Sequence, residues 1–519
     1  MRLSALAADL PHRRAGAPGD PEVLTVTHDS RAAADGTLFA ALPGLKADGR
    51  RFVADAISRG AVAALGLAPA PDATAVPYLE VENPRRSAGL VASLLAGRPS
   101  ERLVMAGVTG TSGKTTTTYL LDGLLAPRHQ KCGFFGTIVY RGSGVTAIPA
   151  LHTTPEATEL QPMLAALVAD GGTAAILECS SHALVLERLA GCSFDVAIFL
   201  NLSRDHLDFH RDMGDYFEAK ARLFSMLKPG GKAVVNLGDE SGRKLASRLV
   251  AKRTVGFLLE GEEGVEQTRP AALAGAVAAT TAAAEGGLFA TVVGRATLGL
   301  GGTKVEIDVP TPFTINSSLL GRSNAENLLA AVAAGVALGY SPAEIKTGLE
   351  SVTSVPGRLE AVPNTRGFTV LVDYAHKPAA LEGVLRTVRP IAAAGGGRVI
   401  AVFGCGGDRD KGKRPEMGRI AALLADEVVV TSDNPRSEEP EAILRDVRAG
   451  VEAAGGTARY VADRREALAE AFALARKGDV VLVAGKGHET SQIVGGRKLP
   501  FDDRLVAKEL LANRETVAQ

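Results

Sequence analysis

The sequence predicts an α/β protein of three domains, and three observations carry that prediction. The chain has 519 residues, and length/150 gives about 3.5 domains. Short apolar runs alternate with helix-like stretches, as expected for parallel strands joined by crossovers. Aromatics make up only 4% and Trp is absent, so Ala, Val, Leu and Gly must fill the core. Such a core suits helices packed on buried parallel strands.

Composition also excludes several classes. With 46% hydrophobic and 22% charged residues, global disorder is excluded. Lys+Arg and Asp+Glu are both 58, so there is no basic excess for a nucleic-acid face. Cys132, Cys179, Cys192 and Cys405 are far apart with no CxxC pair, against a zinc cluster or disulfide framework. The N-terminal apolar run is too short for a signal peptide, and Asp9 interrupts it. The longest apolar stretch, around Leu328 to Tyr340, falls short of the roughly 20 residues that span a bilayer. The expectation is a soluble, cytoplasmic monomer that acts on small molecules and binds neither nucleic acid nor membrane.

Along the chain, Leu24–Thr27 and Thr37–Leu42 read as strands of a small N-terminal α/β module ending at 98, with Gly97–Ser100 as linker. Leu103–Val108 reads as a buried strand, followed by a Gly/Thr loop and a helix over Thr117–Leu125. Ala174–Leu177, Asp195–Leu200 and Lys232–Asn236 continue a central, P-loop-like, mostly parallel sheet over 99–335. The Ala/Gly/Thr-rich segment from Thr254 to Thr314 alternates like antiparallel strands or a mobile insertion. A helix around Asn324–Leu338 leads to a C-terminal, Rossmann-like α/β domain over 336–519, with strands at Phe368–Val372, Val399–Phe403, Glu427–Val430 and Asp479–Val483.

Gly110-Thr111-Ser112-Gly113-Lys114-Thr115-Thr116 stands between the first central strand and its helix. Such a turn offers convergent backbone N–H groups and a positive dipole end to polyphosphate. Lys114 suits the β and γ phosphates, and Thr115 suits Mg²⁺. The generic P-loop pattern is not met, because its first glycine would fall at Val108. Glu178 ends a strand, and His206 follows another, so both lie at the carboxyl edge where open parallel sheets bind ligands. A carboxylate suits Mg²⁺. Taken alone, His206 reads as a hydrogen-bonded structural residue and Lys220 as an exposed helix lysine.

These segments, with Glu178-Cys179-Ser180-Ser181-His182, Asn201 to His206, Lys220, Asn324-Ala325-Glu326-Asn327, Gly357-Arg358 and Asp373-Tyr374-Ala375-His376, resemble the Mur ligase family of ATP-dependent amide-bond synthases over nearly the whole chain. His28-Asp29-Ser30-Arg31 and Asp433-Asn434-Pro435-Arg436 are similar to the branch that adds meso-diaminopimelate to UDP-N-acetylmuramoyl-L-alanyl-D-glutamate in peptidoglycan precursor synthesis. The resemblance implies an acyl-phosphate mechanism with ATP as substrate and Mg²⁺ as cofactor. The three domains would then bind the UDP-sugar, ATP and the amino acid in turn.

By the same resemblance, the ATP site comprises Gly110 to Thr116, Asn324, Asn327, Arg358 and Asp373. Thr115, Glu178, His206 and a carbamylated Lys220 would hold metal, with Lys114, Lys220 and His206 catalytic. The UDP-sugar would meet Ser30 and Leu45-Lys46-Ala47 at its uridine end, and His152, Thr153, Thr154, Ser180, Leu186 and Arg188 at its muramoyl end. His152 and Leu186 depart from the family's pattern, which can have Asn and Gln there.

Diaminopimelate would meet Arg409, Asp433, Asn434, Pro435, Arg436, Gly485 and Glu489, with Glu489 at the distal ammonium. Pro435 stiffens its loop, and Arg436 offers a planar fork for the distal carboxylate. Leaving that Arg unpaired with lysine would cost about 3–5 kcal/mol, and such sites can reject analogues by about 10⁴–10⁵. A folate-glutamate ligase and a nucleotide-dependent switch are the competing readings. The first has no need of the Ser30 region or the Asp433–Arg436 loop.

Overall fold

Three sheets in series organise the chain. The computed structural model describes residues 1–519 apart from 9, 45–46, 73, 143–144, 261–287, 300 and 513–519. The first sheet contains β1 (His12–Gly16), β2 (Thr25–Thr27), β3 (Thr37–Ala41), β4 (Ala61–Gly66) and β5 (Pro77–Val81), in the order β1-β5-β4-β3-β2. Only β1 runs antiparallel to its neighbour. Leu3, Leu6, Leu38, Leu65, Leu79 and Val91 fill one face.

The second sheet contains β6 (Val104–Thr109), β7 (Cys132–Phe135), β8 (Val139–Gly142), β9 (Val145–Pro149), β10 (Ala174–Glu178), β11 (Phe194–Phe199), β12 (Leu227–Asn236), β13 (Thr254–Leu259), β14 (Ala290–Gly299), β15 (Gly302–Val309) and β16 (Phe313–Ser317). Its order is β16-β15-β14-β13-β12-β11-β6-β10-β7-β8-β9. Strands β7 to β14 along that order, apart from the outer β8 and β9, pair in parallel. Both outer ends of the sheet are antiparallel. The phosphate-loop strand β6 therefore lies between β10 and β11, and three strand ends meet at one edge.

The Thr254–Thr314 expectation divides. Strands β14 to β16 form an antiparallel meander. By contrast, β13 is buried along its whole length and pairs in parallel on both sides. A strand apolar on both faces needs cover on both, so it lies inside the sheet. Residues 261–287 of that segment lie outside the described residues.

The expected domain boundary at 336 falls within the helix Arg322–Ala337. That helix is buried around its middle turns and packs between the phosphate-loop helix (Lys114–Leu125) and strands β12 to β14. The next helix, Pro342–Glu350, also packs on the phosphate-loop helix. Packing therefore keeps it with the central sheet. The third sheet begins with β17 (Glu360–Val362), followed by β18 (Thr369–Asp373), β19 (Val399–Cys405), β20 (Glu427–Ser432), β21 (Arg459–Tyr460) and β22 (Val480–Ala484). Their order is β17-β18-β22-β19-β20-β21, parallel except for β17. A hairpin, β23 (Ser491–Val494) and β24 (Arg497–Pro500), follows. Among the described residues no helix is long and apolar enough to cross a membrane.

The two helices meet through glycine. A Cβ on Gly123 would lie 2.5 Å from the Gly348 carbonyl oxygen, and one on Gly348 would lie 2.6 Å from that of Gly123. Both distances are below any tolerated contact, so no side chain fits without separating the helices. Gly348→Leu should therefore cost about 1–3 kcal/mol, read as a lower urea midpoint.

Candidate active site

Strand β6 ends at Thr109, and the phosphate loop turns into the helix at Lys114. Gly113 has φ +83°, and a Cβ there would lie 2.4 Å from Asn327 Oδ1. Glycine meets both constraints. Asn201, just beyond β11, pins the loop: its Oδ1 accepts from the backbone N–H of Thr111 (3.1 Å) and Ser112 (3.0 Å). Asn327 lies beneath, accepting from Thr117 Oγ1 at 3.3 Å. Asn324 stands one step further back. It accepts from Asn327 Nδ2 at 3.2 Å and donates to the Leu320 carbonyl at 2.8 Å.

Two lysines converge on one carbonyl. Lys114 Nζ and Lys220 Nζ each donate to the Gly110 oxygen at 2.8 Å, and Lys114 also reaches Thr111 O at 3.2 Å. Lys220 is buried, with Nζ 4.4 Å from the centre of the Tyr216 ring. Burial, reinforced by the Lys114 charge, holds its pKa well below the usual lysine value. Burial also lowers that of Lys114. The expectation of an exposed helix lysine at 220 gives way to a buried amine, because its helix turns this face into the sheet edge.

Glu178 is fully buried at the end of β10. Its Oε2 accepts from Thr115 Oγ1 (3.2 Å) and Thr137 Oγ1 (3.0 Å), and its Oε1 accepts from Thr137 N–H (2.9 Å). Arg358, from the third domain, donates Nη2 to Thr115 Oγ1 at 3.3 Å. Its Nε is buried without a partner. Asp373, at the end of β18, accepts from the N–H groups of Leu359 and Ala375, and burial raises its pKa.

His206 adopts φ +53° beside Asp205, Nε2 to Oδ2 3.4 Å, with the His182 ring 4.8 Å away. Burial lowers its pKa to about 4, so the neutral ring presents a lone pair at pH 7. Asp205 also pairs with Lys377 of the third domain at 2.9 and 3.1 Å. Arg358 and Lys377 are thus two cations by which the third domain reaches the phosphate loop.

The residues expected at the UDP-sugar lie along the adjoining surface. Ser30 is buried in a short turn capped by the Asp29 side chain. Ala47 O accepts from Gly44 N–H at 3.2 Å, while Leu45 and Lys46 lie outside the described residues. His152 has an exposed ring, its backbone N–H bonding Tyr140 Oη at 3.0 Å. Thr153 Oγ1 lies 3.3 Å from Thr137 Oγ1, and Thr154 Oγ1 donates to Glu178 O at 2.7 Å. A hydroxyl chain therefore links this surface to the buried carboxylate. Ser180 caps the helix Ser181–Val185, Leu186 ends it, and Arg188 reaches Thr154 O and Glu156.

The residues expected at diaminopimelate gather at the edge of the third sheet. Asn434 Nδ2 donates to Glu489 Oε2 at 3.0 Å, and Lys486 Nζ donates to Asn434 Oδ1 (3.2 Å) and the same Glu489 oxygen (3.0 Å). Glu489 thus already has a cationic partner within the chain. Gly485, at φ +116°, faces Asp433 so closely that a Cβ there would lie 3.1 Å from Asp433 Oδ2, a tight contact. Pro435 is buried, and Arg436 takes the left-handed φ of +56°. The hairpin supports that conformation, since Arg436 N–H bonds Ile493 O (2.9 Å) and Gly495 N–H bonds Arg436 O (2.7 Å). Arg436 Nη1 donates to Gly407 O at 2.6 Å, and Arg409 is exposed nearby.

Sequence reasoning missed Thr137, the role of Asn201, the Asp205–Lys377 pair and Lys486. Thr137 belongs to no recognisable motif, whereas the other residues lie within or beside segments that were singled out. Among the described residues no three His, Cys, Asp or Glu side chains group as a metal site. The oxygen donors at hand are the Thr115 hydroxyl and the Glu178 carboxylate. A cavity of about 630 Å³ lined by Tyr119, Asp122, Arg141 and Ser351 lies at the far end of the phosphate-loop helix, away from this cluster.

Comparison with known proteins matches three profiles: the Mur ligase family catalytic domain at residues 22–95, the Mur ligase middle domain at 108–335, and the Mur ligase glutamate ligase domain at 357–487. The chain is 44% identical to the UDP-N-acetylmuramoyl-L-alanyl-D-glutamate--2,6-diaminopimelate ligase of Geobacter metallireducens, over 97% of each chain. It is 41% identical to the enzyme of that name from Solibacter usitatus, over 98% of each. A solved structure of a UDP-N-acetylmuramoyl-L-alanyl-D-glutamate--2,6-diaminopimelate ligase aligns over 99% of both chains, with TM-score 0.67 and 31% identity.

Three imidazoles, His206, His376 and His488, have pKa values lowered to about 4, chiefly by burial. Their folded values lie below the 6.5 of the free side chain, so the unfolded chain binds more protons between those limits. Stability should therefore fall as pH drops from about 6.5 toward 4. A lower thermal midpoint at pH 5 than at pH 7, with ring NMR titrations centred near 4, would show this. A His206 midpoint above 6 would contradict it.

Proposed function

This chain belongs to the Mur ligase family, and we propose that it joins 2,6-diaminopimelate to UDP-N-acetylmuramoyl-L-alanyl-D-glutamate at the expense of ATP, supplying a peptidoglycan precursor. One observation supports this above the others. Phosphate-loop, carboxylate and lysine groups meet at one sheet edge, and a stiff Arg-bearing loop stands at the next, in a chain alignable end to end with such ligases.

The chemistry follows in two steps. The D-glutamyl γ-carboxylate attacks the ATP γ-phosphorus, the bond to the bridging oxygen breaks, and ADP leaves an acyl phosphate. The amine of diaminopimelate then attacks the acyl carbon, loses a proton, and expels phosphate from a tetrahedral intermediate. Phosphoryl transfer is mainly positioning and charge neutralisation. On binding, the triphosphate would draw Lys114 from the Gly110 and Thr111 carbonyls, and Arg358 would approach from the third domain. Closure of that domain would keep water from the acyl phosphate.

Mg²⁺ fits the donors present. Thr115 and Glu178 would hold one ion, and His206 with a carbamylated Lys220 would hold a second. The ions would supply positive charge to the transferring phosphoryl group. The depressed pKa of Lys220 supports carbamylation, because only a neutral amine attacks CO₂. That addition forms a C–N bond and releases one proton, turning the neutral amine into an anionic carbamate. The Asp433–Arg436 loop and Arg409 would read the distal end of the amino acid, a feature a folate ligase does not need. We place the enzyme in the cytoplasm, where its nucleotide substrates are found, and propose that it acts as a monomer.

Turnover with meso-diaminopimelate compared with L-lysine tests the specificity. The expected preference is large, up to about 10⁴ in kcat/KM; equal use of both would reject the role of the Arg436 loop. Lys220→Ala should lose at least about 10²-fold in kcat and recover in part with acetate or formate. Full activity in the unrescued variant would defeat the carbamate.

A further inference from the structure

Beneath the proposed amino-acid site lies a buried charged network that the reaction as described does not use. Arg464 and Asp503 are both wholly buried and pair through two bonds, Nε–Oδ1 2.7 Å and Nη2–Oδ2 2.8 Å. The same guanidinium donates Nη1 to Ser432 O (3.1 Å) and Nη2 to Ala484 O (3.0 Å). Ser432 is the last residue of β20 and Ala484 the last of β22. Those strands are separated by β19, so one planar fork bonds the ends of two strands that are not neighbours in the sheet. The residues that immediately follow are Asp433 and Gly485, where the two recognition loops begin.

Lys486 completes the link. It is wholly buried and joins the second loop to the first through Asn434, and it holds Glu489 at 3.0 Å. Around Asp433 stand the cations Arg464, Lys486 and Lys413, with Glu489 and Asp503 as the neighbouring anions.

We propose that Arg464, with Asp503 and Lys486, is a positioning brace that fixes the spacing of the 433–436 and 485–489 loops and thereby sets affinity for the acceptor amino acid. This inference rests on the functional reading above. Arg464 and Asp503 lie behind the loops and act through them. Two consequences separate this role from plain stabilisation. Disturbing the brace changes recognition of the amino acid alone, because the phosphate loop lies on another sheet. Its effect also falls on KM rather than kcat, because the reacting carbonyl and phosphate are held by other residues.

The test uses the full-length enzyme. Arg464→Met combined with Asp503→Leu removes both charges together and strands no buried ion. We expect KM for diaminopimelate to rise at least about tenfold, with KM for ATP and the UDP-substrate and kcat at saturating acceptor within about threefold. Lys486→Met should show the same split. A lower thermal midpoint with unchanged acceptor KM, or an equal rise in all three KM values, would overturn the proposal. If the double variant does not fold, Arg464→Lys and Lys486→Met carry the test with the same criteria. Wild type measured in parallel separates the two readings. Its failure to use diaminopimelate overturns the functional reading and the brace together, whereas an active wild type with unaltered variant KM overturns the brace alone.

Discussion

Glu178 is a carboxylate taken wholly out of water, and the catalytic edge is organised around keeping that charge satisfied. An unpaired buried carboxylate would be costly, yet here three donors from two loops converge on it: Thr115 Oγ1, Thr137 Oγ1 and Thr137 N–H. Thr115 opens the phosphate-loop helix, so the bond fixes that helix start relative to β10. Thr137 in turn touches Thr153, and Thr154 bonds the Glu178 carbonyl. One buried negative charge thus ties the nucleotide loop to the surface expected to carry the sugar. It also provides an anionic, oxygen-rich point suited to a divalent cation.

Positive charge is arranged with equal economy. Lys114 and Lys220 share the Gly110 carbonyl as acceptor, so each disfavours the protonated state of the other at close range. This makes a neutral Lys220 amine chemically accessible, and its proposed carbamylation would replace like-charge repulsion by attraction. Arg358 and Lys377 add cations that belong to another domain. Their contacts with Thr115 and Asp205 couple the position of the third sheet to the state of the phosphate loop. Closure of the third domain, as proposed, would therefore be an electrostatic event as well as a steric one.

In the third domain the loops proposed for recognition are distinct from the groups that support them. Residues 433–436 and 485–489 emerge from the ends of β20 and β22, and neither loop is held by its own sequence alone. Arg436 takes a left-handed backbone conformation that a non-glycine residue adopts only when its surroundings impose it. Those surroundings are the backbone of the β23–β24 hairpin. Behind the strands, the Arg464–Asp503 pair joins two chain segments across an intervening strand. A rigid scaffold under a small polar site is what discrimination between amino acids differing by one carboxylate requires.

Much of this was legible in the sequence, for a physical reason. Apolar runs, glycine placement and strand-then-helix order are local properties. They located β6, β10, β11, β19, β20 and β22, along with the phosphate loop and the ends of the strands where Glu178, Asp373 and Asp433 stand. Locality also explains the failures. The expected boundary at 336 stands in the last turn of a helix whose apolar middle looks alike whichever domain covers it. Strand β13 looked like part of an insertion because its partners β12 and β14 are fixed only on folding. Taken alone, Lys220 looked solvent-exposed because composition carries no burial, and only the family resemblance put it at the site. Thr137, Lys377 and Arg464 gained their roles from neighbours tens to hundreds of residues away, and the depressed imidazole and lysine pKa values followed from the same burial. The sequence by itself determined which chemistry the chain can hold, since residue type and local pattern encode it. The tertiary structure alone decided which charges meet and which are stripped of water, because desolvation and long-range pairing exist only once the sheets are packed.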